Sequence, residues 1–196
     1  MALEVIMGEI SLNEAEEKPM LPVKLHTDRQ FELLKKFASA DNNENNFNLY
    51  DTLFAWKRYT KISNDYSKYF KQAIIAMYAM INKIFTIFGT VDIASYANPN
   101  LLYYCCYILA HKFLEDESYD LGSFRVSAKK TSIYEISESG TVIIRRNPIT
   151  QKRLAELEIA LFEILDFNVT IHPHEMEKME QWEKNGYIVI ERELYE

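Results

Sequence analysis

Residues Leu101 to Asp116 read LLYYCCYILAHKFLED, and this stretch decides the fold. It is apolar on nearly every side until Lys112 interrupts it near its end. A helix that is hydrophobic all round belongs in a core, whereas a lysine is almost never fully buried unless it is paired. The stretch therefore predicts a central buried helix that carries a charged group close to its end.

A second helical stretch, QKRLAELEIALFEILDF, spans residues 151–167 and carries Glu158 among apolar neighbours. A lysine and a glutamate, each embedded in a core helix, suggest a polar binding site for a partner outside this chain. Lys112 and Glu158 are also candidates to pair with each other inside the bundle, since buried charges are usually paired. The two roles can coexist, because an intramolecular pair would orient both groups in advance.

Apolar residues recur at helical spacing along most of the chain. One face of a long helix is marked by residues spaced four, three, four and three apart: Ile74, Tyr78, Ile81, Phe85 and Phe88. Asn48, Asn98 and Thr150 are good N-caps, and Asn98 is followed by a proline. The patterns predict helices at about residues 25–40, 48–62, 66–88, 99–114, 151–167 and 173–185.

The remaining segments break this helical pattern. Residues 41–46, DNNENN, predict a loop. Residues 122–147 are richer in Ser, Thr, Val and Ile, and SIYEI and TVIIR flank Ser-Glu-Ser-Gly there, which predicts a β-hairpin. Residues 1–24 are acidic and predict a flexible arm. We therefore expect an all-α bundle over residues 25–196, forming one domain with a small β-hairpin-like insertion.

Composition argues against several classes of function. The formal net charge is -7 and the basic residues are scattered, whereas binding to nucleic-acid phosphates needs clustered Lys and Arg. No apolar run approaches the roughly 18 residues of a membrane span, and the first residues lack the basic region of a signal peptide. We expect no nucleic-acid partner, no membrane association and an intracellular location, cytoplasmic or nuclear.

The sequence also gives little support for an enzyme or a metal site. It lacks the phosphate-binding and hydrolase-elbow glycine patterns. Cys105 and Cys106 are adjacent in the apolar helix, which predicts inert core thiols rather than a disulfide or a nucleophile. His172 and His174 superficially suggest a metal site, but Pro173 at a helix start explains their spacing better. We expect no catalytic residue, no cofactor, no metal and no small-molecule substrate.

The order of these elements resembles the cyclin box. A tyrosine-rich helix and a long amphipathic helix precede the A-x-K-F-x-E-D of residues 110–116 and the L-E-x-x-x-F-x-x-L-x-F of residues 157–167. With Tyr119, the first motif is similar to that of the P/U-type, phosphate-response cyclins, which have a single box. The resemblance covers about residues 47–169, with flanking helices that include the one at about 173–185.

The resemblance implies a function: binding a cyclin-dependent protein kinase and holding its mobile small-lobe helix in the active position. In cyclins, the residues matching Lys112 and Glu158 hydrogen-bond to main-chain atoms near that helix. Phe113 follows Lys112, and Phe162 lies one helical turn after Glu158, so we expect an interface patch of two aromatics around two opposite charges. Ordinary core positions are the alternative for both aromatic residues.

The sequence also departs from the cyclin pattern. His111 replaces a small residue before the lysine, and the hairpin-like insertion occupies the region of the fourth helix of the box. The glycine-rich turn before the fifth helix appears as Arg-Asn-Pro-Ile-Thr. A cyclin-fold adaptor that binds partner proteins without activating a kinase is the alternative function.

Overall fold

The structure is a computed structural model that describes residues 26–40, 42–45, 47–59, 64–114, 124, 132–136, 142–146 and 149–188. It is mostly helical, as the sequence predicts. The helices are α1 (Asp28–Lys35), α2 (Asn42–Asn45), α3 (Leu49–Tyr59), α4 (Asn64–Phe88), α5 (Pro99–Leu114), α6 (Gln151–Ile164) and α7 (Pro173–Lys184). The predicted N-terminal arm, Tyr119 and most of the insertion lie outside the described residues.

The predicted helix starts are confirmed by their capping bonds. Asn48 Oδ1 accepts a hydrogen bond from the Asp51 N–H at 3.1 Å, and Asn98 Oδ1 accepts one from the Asn100 N–H at 3.0 Å. Thr150 Oγ1 accepts from the Arg153 N–H at 3.0 Å. These side chains satisfy backbone donors that have no partner within the helix.

Helix α5 lies at the centre of the bundle, as its all-round apolarity predicts. It packs against α3, α4 and α6. Every described residue from Leu101 to His111 is buried except the half-buried Tyr103. The apolar stripe of α6 faces the same core, and its buried members are Leu154, Leu157, Leu161, Ile164 and, just past the helix, Leu165.

Three expectations about the helices need correction. The predicted loop at 41–46 contains the single turn α2, because the Glu44 side chain is drawn into the fold by Arg153 and by the Ala40 N–H. Helix α1 covers only Asp28–Lys35 of the predicted 25–40. Phe85 is exposed, because α4 packs against α5 and α7 through a broader face centred on other residues.

Two strands occupy part of the insertion. Ser132–Ile136 (β1) pairs antiparallel with Val142–Arg146 (β2), from Ser132 opposite Arg146 to Ile136 opposite Val142. They lie where the sequence predicts a hairpin, although the turn residues 137–141 lie outside the described residues. Ile149, just before α6, is buried and returns the chain to the core.

Among the described residues, no helix has the length and apolarity that a membrane crossing requires.

Candidate functional site

Lys112 and Glu158 meet at the surface of the bundle. Lys112 lies in the last turn of α5 and Glu158 lies in the middle of α6. The Lys112 Nζ and the Glu158 Oε1 are 2.6 Å apart, although the two residues are 46 positions apart in the chain. The structure therefore brings together the two charged residues that the sequence singles out.

The packing of α5 against α6 explains why this pair lies at the edge of the core. Leu157 and Leu161 fix the buried face of α6, and Glu158 follows Leu157 directly, so its side chain leaves the helix beside that face. His111 is buried and Lys112 follows it at the margin of the same core. A cation in the last turn of a helix is also favoured by the helix dipole.

The pair is neither fully buried nor freely exposed. The Lys112 side chain is 25% exposed and the Glu158 side chain 15%. At this depth water screens charges less than at an open surface, and a charge-assisted hydrogen bond is stronger than a neutral one. Part of each side chain therefore remains accessible to solvent.

Both groups retain hydrogen-bonding capacity. Within the described parts of the chain, the Lys112 ammonium has Glu158 as its hydrogen-bond acceptor, and the contact uses one carboxylate oxygen. An ammonium has three N–H donors and a carboxylate has two acceptor oxygens. Among the described residues, this contact leaves two N–H donors of Lys112 and one carboxylate oxygen of Glu158 available for further hydrogen bonds.

The two predicted aromatic residues differ in exposure. Phe113 is 43% exposed beside Lys112, and its role at an interface stays a prediction. Phe162 is half-buried and packs against the core, so part of its ring has the ordinary core role that the sequence left open. Its ring also stacks on Phe167, with centroids 6.5 Å apart and an interplanar angle of 22°.

The sequence analysis did not single out Phe167 as a site residue, but the structure places it beside Phe162. It is 69% exposed and lies just past the end of α6. Its N–H donates to the Phe162 carbonyl at 2.8 Å, and the Asp166 N–H donates to the Glu163 carbonyl at 3.1 Å. These are the two bonds of a Schellman motif. The motif is often accompanied by an apolar contact between the positions that Phe162 and Phe167 occupy here.

Residue Ile159, next to Glu158 on α6, is also exposed. Several large hydrophobic residues are exposed in the described structure. Three of them, Phe113, Ile159 and Phe167, lie on or beside the two helices that carry the ion pair. We use the name α5–α6 surface for the partly or well exposed side chains carried by α5, by α6 and by the residues just past α6, namely Lys112, Phe113, Glu158, Ile159, Phe162 and Phe167. Little in the sequence pointed to Phe167, because a glycine usually marks this helix ending and Asp166 occupies that position.

The other candidate residues show no reactive arrangement. Burial raises the pKa values of Cys105 and Cys106, which disfavours their thiolates. The rings of His172 and His174 are nearly parallel, with centroids 5.5 Å apart. The described residues include no cluster of three or more histidine, cysteine or acidic side chains that could hold a metal.

Comparison with protein-family models, with curated proteins and with solved structures finds no match to this chain.

Proposed function

We propose that this chain is a regulatory subunit that binds a cyclin-dependent protein kinase and activates it by positioning its small-lobe helix. The observation that carries the proposal is the contact between Lys112 and Glu158 at a partly exposed surface flanked by Phe113. The resemblance to the cyclin box implies that these residues bind the kinase. Joint binding by Lys112 and Glu158 requires the two side chains to lie close together, and they do.

The chemistry of the α5–α6 surface suits recognition of a protein backbone. Main-chain carbonyls accept from an ammonium, and main-chain N–H groups donate to a carboxylate. If a bound partner displaces water from such groups, leaving one of them unpaired costs about 1–3 kcal/mol. A partner that offers both kinds of main-chain group is therefore favoured, and aromatic side chains around the pair supply apolar contact area.

Activation on this proposal is a shift between two states of the kinase. A ligand shifts such an equilibrium only by its differential affinity for the two states, and typical couplings are about 1–3 kcal/mol. The kinase supplies the ATP chemistry through its own lysine–glutamate ion pair, which depends on the placement of its small-lobe helix. This chain contributes no catalytic residue.

The first experiment is a pull-down with a panel of cyclin-dependent kinases, followed by a kinase activity assay on each complex that forms. We expect at least one kinase to bind and to gain activity. Binding without any gain in activity would instead support the adaptor function. If no kinase binds, both the proposed activator function and the proposed kinase partner are refuted.

The second experiment separates partner recognition from internal pairing. Lys112→Ala and Glu158→Ala should each weaken kinase binding by about 2 kcal/mol or more, roughly 30-fold. The exchange Lys112→Glu with Glu158→Lys keeps an internal ion pair but interchanges the donor and the acceptor. We expect this exchange to recover stability without recovering kinase binding, whereas a purely structural pair would recover both.

A matched control comes from another ion pair of similar burial. Lys71 and Glu183 join α4 to α7, with their atoms 2.8 Å apart. Lys71→Ala with Glu183→Ala should lower stability by an amount similar to that of the site variants and leave kinase affinity unchanged. If this control weakens binding as much as the site variants do, the α5–α6 surface is not the binding site.

A further inference from the structure

Gln30 connects two helix ends. On one side it completes the N-cap of α1: the Thr27 N–H donates to the Gln30 Oε1 at 2.9 Å, and the Gln30 N–H donates to the Thr27 Oγ1 at 3.1 Å. This is a capping box, with the side chain at the third helical position bonded back to the cap residue. On the other side the Gln30 Nε2 donates to the Ile164 carbonyl at 2.8 Å.

The Ile164 carbonyl belongs to the turn that shapes the aromatic end of the α5–α6 surface. The last carbonyls of a helix have no partner within it, and here loop N–H groups bond to the carbonyls of Leu161, Phe162, Glu163 and Leu165. The Ile164 carbonyl is bonded by the Gln30 amide instead. Gln30 thus supplies the hydrogen bond that the Schellman motif leaves unmade.

A second contact reinforces this link. Arg29, the neighbour of Gln30, pairs with Glu163 through both its Nε and one terminal nitrogen. Arg29 is well exposed, and exposed pairs of this kind contribute little to stability. The Gln30 amide is therefore the more informative residue to vary.

We propose that Gln30 is a positioning residue for partner recognition: its amide ties α1 to the last turn of α6 and so fixes the placement of Phe167 on Phe162. This inference rests on the proposed function for its binding consequence. The physical reason is that an aromatic side chain held in one place before binding does not lose conformational freedom on binding. Loosening the turn would release Phe167 while leaving Lys112 and Glu158 paired.

The variant Gln30→Glu isolates the link. Glutamate keeps an oxygen for the Thr27 N–H and suits the first turn of a helix. It lacks the N–H donor for Ile164 and brings a carboxylate next to the negative end of α6. Glu32→Gln is the matched control, because it makes the reverse exchange on the exposed side of the same helix.

The first measurement is amide hydrogen exchange in the isolated chain. A hydrogen bond of about 1 kcal/mol corresponds to a change of about 5-fold, so Gln30→Glu should speed exchange of the Asp166 and Phe167 amides by about that factor. Glu32→Gln should not. Unchanged exchange at the end of α6 in Gln30→Glu would refute the positioning role, whether or not the chain binds a kinase.

The second measurement is a double-mutant cycle on affinity for the kinase recovered in the pull-down. Gln30→Glu should weaken binding several-fold in the wild-type background and have no effect once Phe167→Ala has removed the ring. Equal losses in both backgrounds would show that Gln30 acts on overall stability rather than through Phe167. If amide exchange is faster in Gln30→Glu but no kinase binds in the pull-down, the positioning of the α6 turn by Gln30 is supported and only the proposed function is rejected.

Discussion

His111 is buried among aromatic rings, one residue before Lys112. Its ring centroid lies 5.6 Å from that of Trp56, 5.8 Å from that of Tyr107 and 5.5 Å from that of Phe124. Burial lowers the pKa of His111 from 6.5 to about 4, because the charged imidazolium loses its hydration there. At neutral pH the folded chain therefore holds a neutral histidine in its core.

This lowered pKa predicts a loss of stability in mild acid. Between the folded pKa of about 4 and the unfolded value of 6.5, the unfolded chain binds more protons, so the free energy of unfolding falls as the pH falls. Over the full interval the loss from this residue is about 3 kcal/mol. Urea unfolding at pH 7 and at pH 5 measures the part of this loss that falls between those values, about 2 kcal/mol.

The control for this prediction is His111→Phe, which keeps a planar ring and removes the titrating group. Acidic residues titrate in both proteins, so the difference between their pH slopes isolates His111. We expect a shallower slope in the variant between pH 6.5 and 4.5. Equal slopes would show that the histidine is not the source of the acid sensitivity.

Single residues differed in how far the sequence could predict them. Lys112 and Glu158 were conspicuous because a charge in an apolar helix has few explanations, and the structure pairs them. Phe162 was left between two roles: it packs against the core, and its role at an interface stays a prediction. The bond from Gln30 to the Ile164 carbonyl carried no signal in the sequence, because it depends on how α1 packs against a residue that lies 134 positions further along the chain.

The end of α6 is the element with the most unusual backbone. Asp166 and Phe167 both have positive φ values, of 51° and 57°. The left-handed region is unfavourable for residues with a Cβ, although aspartate tolerates it better than most. An acidic side chain at a helix C-terminus is also repelled by the helix dipole.

These two costs predict that Asp166→Gly stabilises the chain. Glycine adopts positive φ freely and removes the charge, so we expect the free energy of unfolding to rise by about 0.5–1 kcal/mol. Asp166→Ala is the control, since it removes the charge but keeps a Cβ in the left-handed conformation. If thermal unfolding shows an equal gain in both variants, the dipole alone explains the effect and the strain does not.

At the element scale the sequence predicted helices well and short irregular elements poorly. Helix α4 follows from a long apolar pattern, and α5 follows from an apolar stretch with a clear N-cap; both lie where expected. Helix α2 could not be foreseen, because DNNENN has the composition of a loop and its turn is stabilised by contacts with α6. Exposure of Phe85 was missed because the buried face near the end of α4 is centred on other residues, including Ile84 and Phe88.

At the scale of the whole molecule, one ion pair joins segments that are distant in sequence. Arg153 of α6 donates to Glu44 of α2 from its Nε at 3.1 Å, and its Nη2 donates to the carbonyls of Lys36 and Ala38 at 2.8 Å and 3.0 Å. The Asn98 amide, at the start of α5, donates to the Glu44 carbonyl at 2.8 Å. The pair thus links α2, α5 and α6 with the end of α1.

This linkage predicts that Arg153→Ala destabilises the whole fold. Removing the guanidinium breaks its ion pair with the buried Glu44 carboxylate, and breaking such a pair costs about 3–5 kcal/mol. We expect urea unfolding to show a lower midpoint with an unchanged slope, since the surface exposed on unfolding stays the same. Lys152→Ala is the control at the adjacent position, where the side chain is 87% exposed and lies 3.9 Å from Glu156. It should change stability by less than about 0.5 kcal/mol. Equal losses of stability in the two variants would show that Arg153 does not stabilise the fold through its ion pair with Glu44.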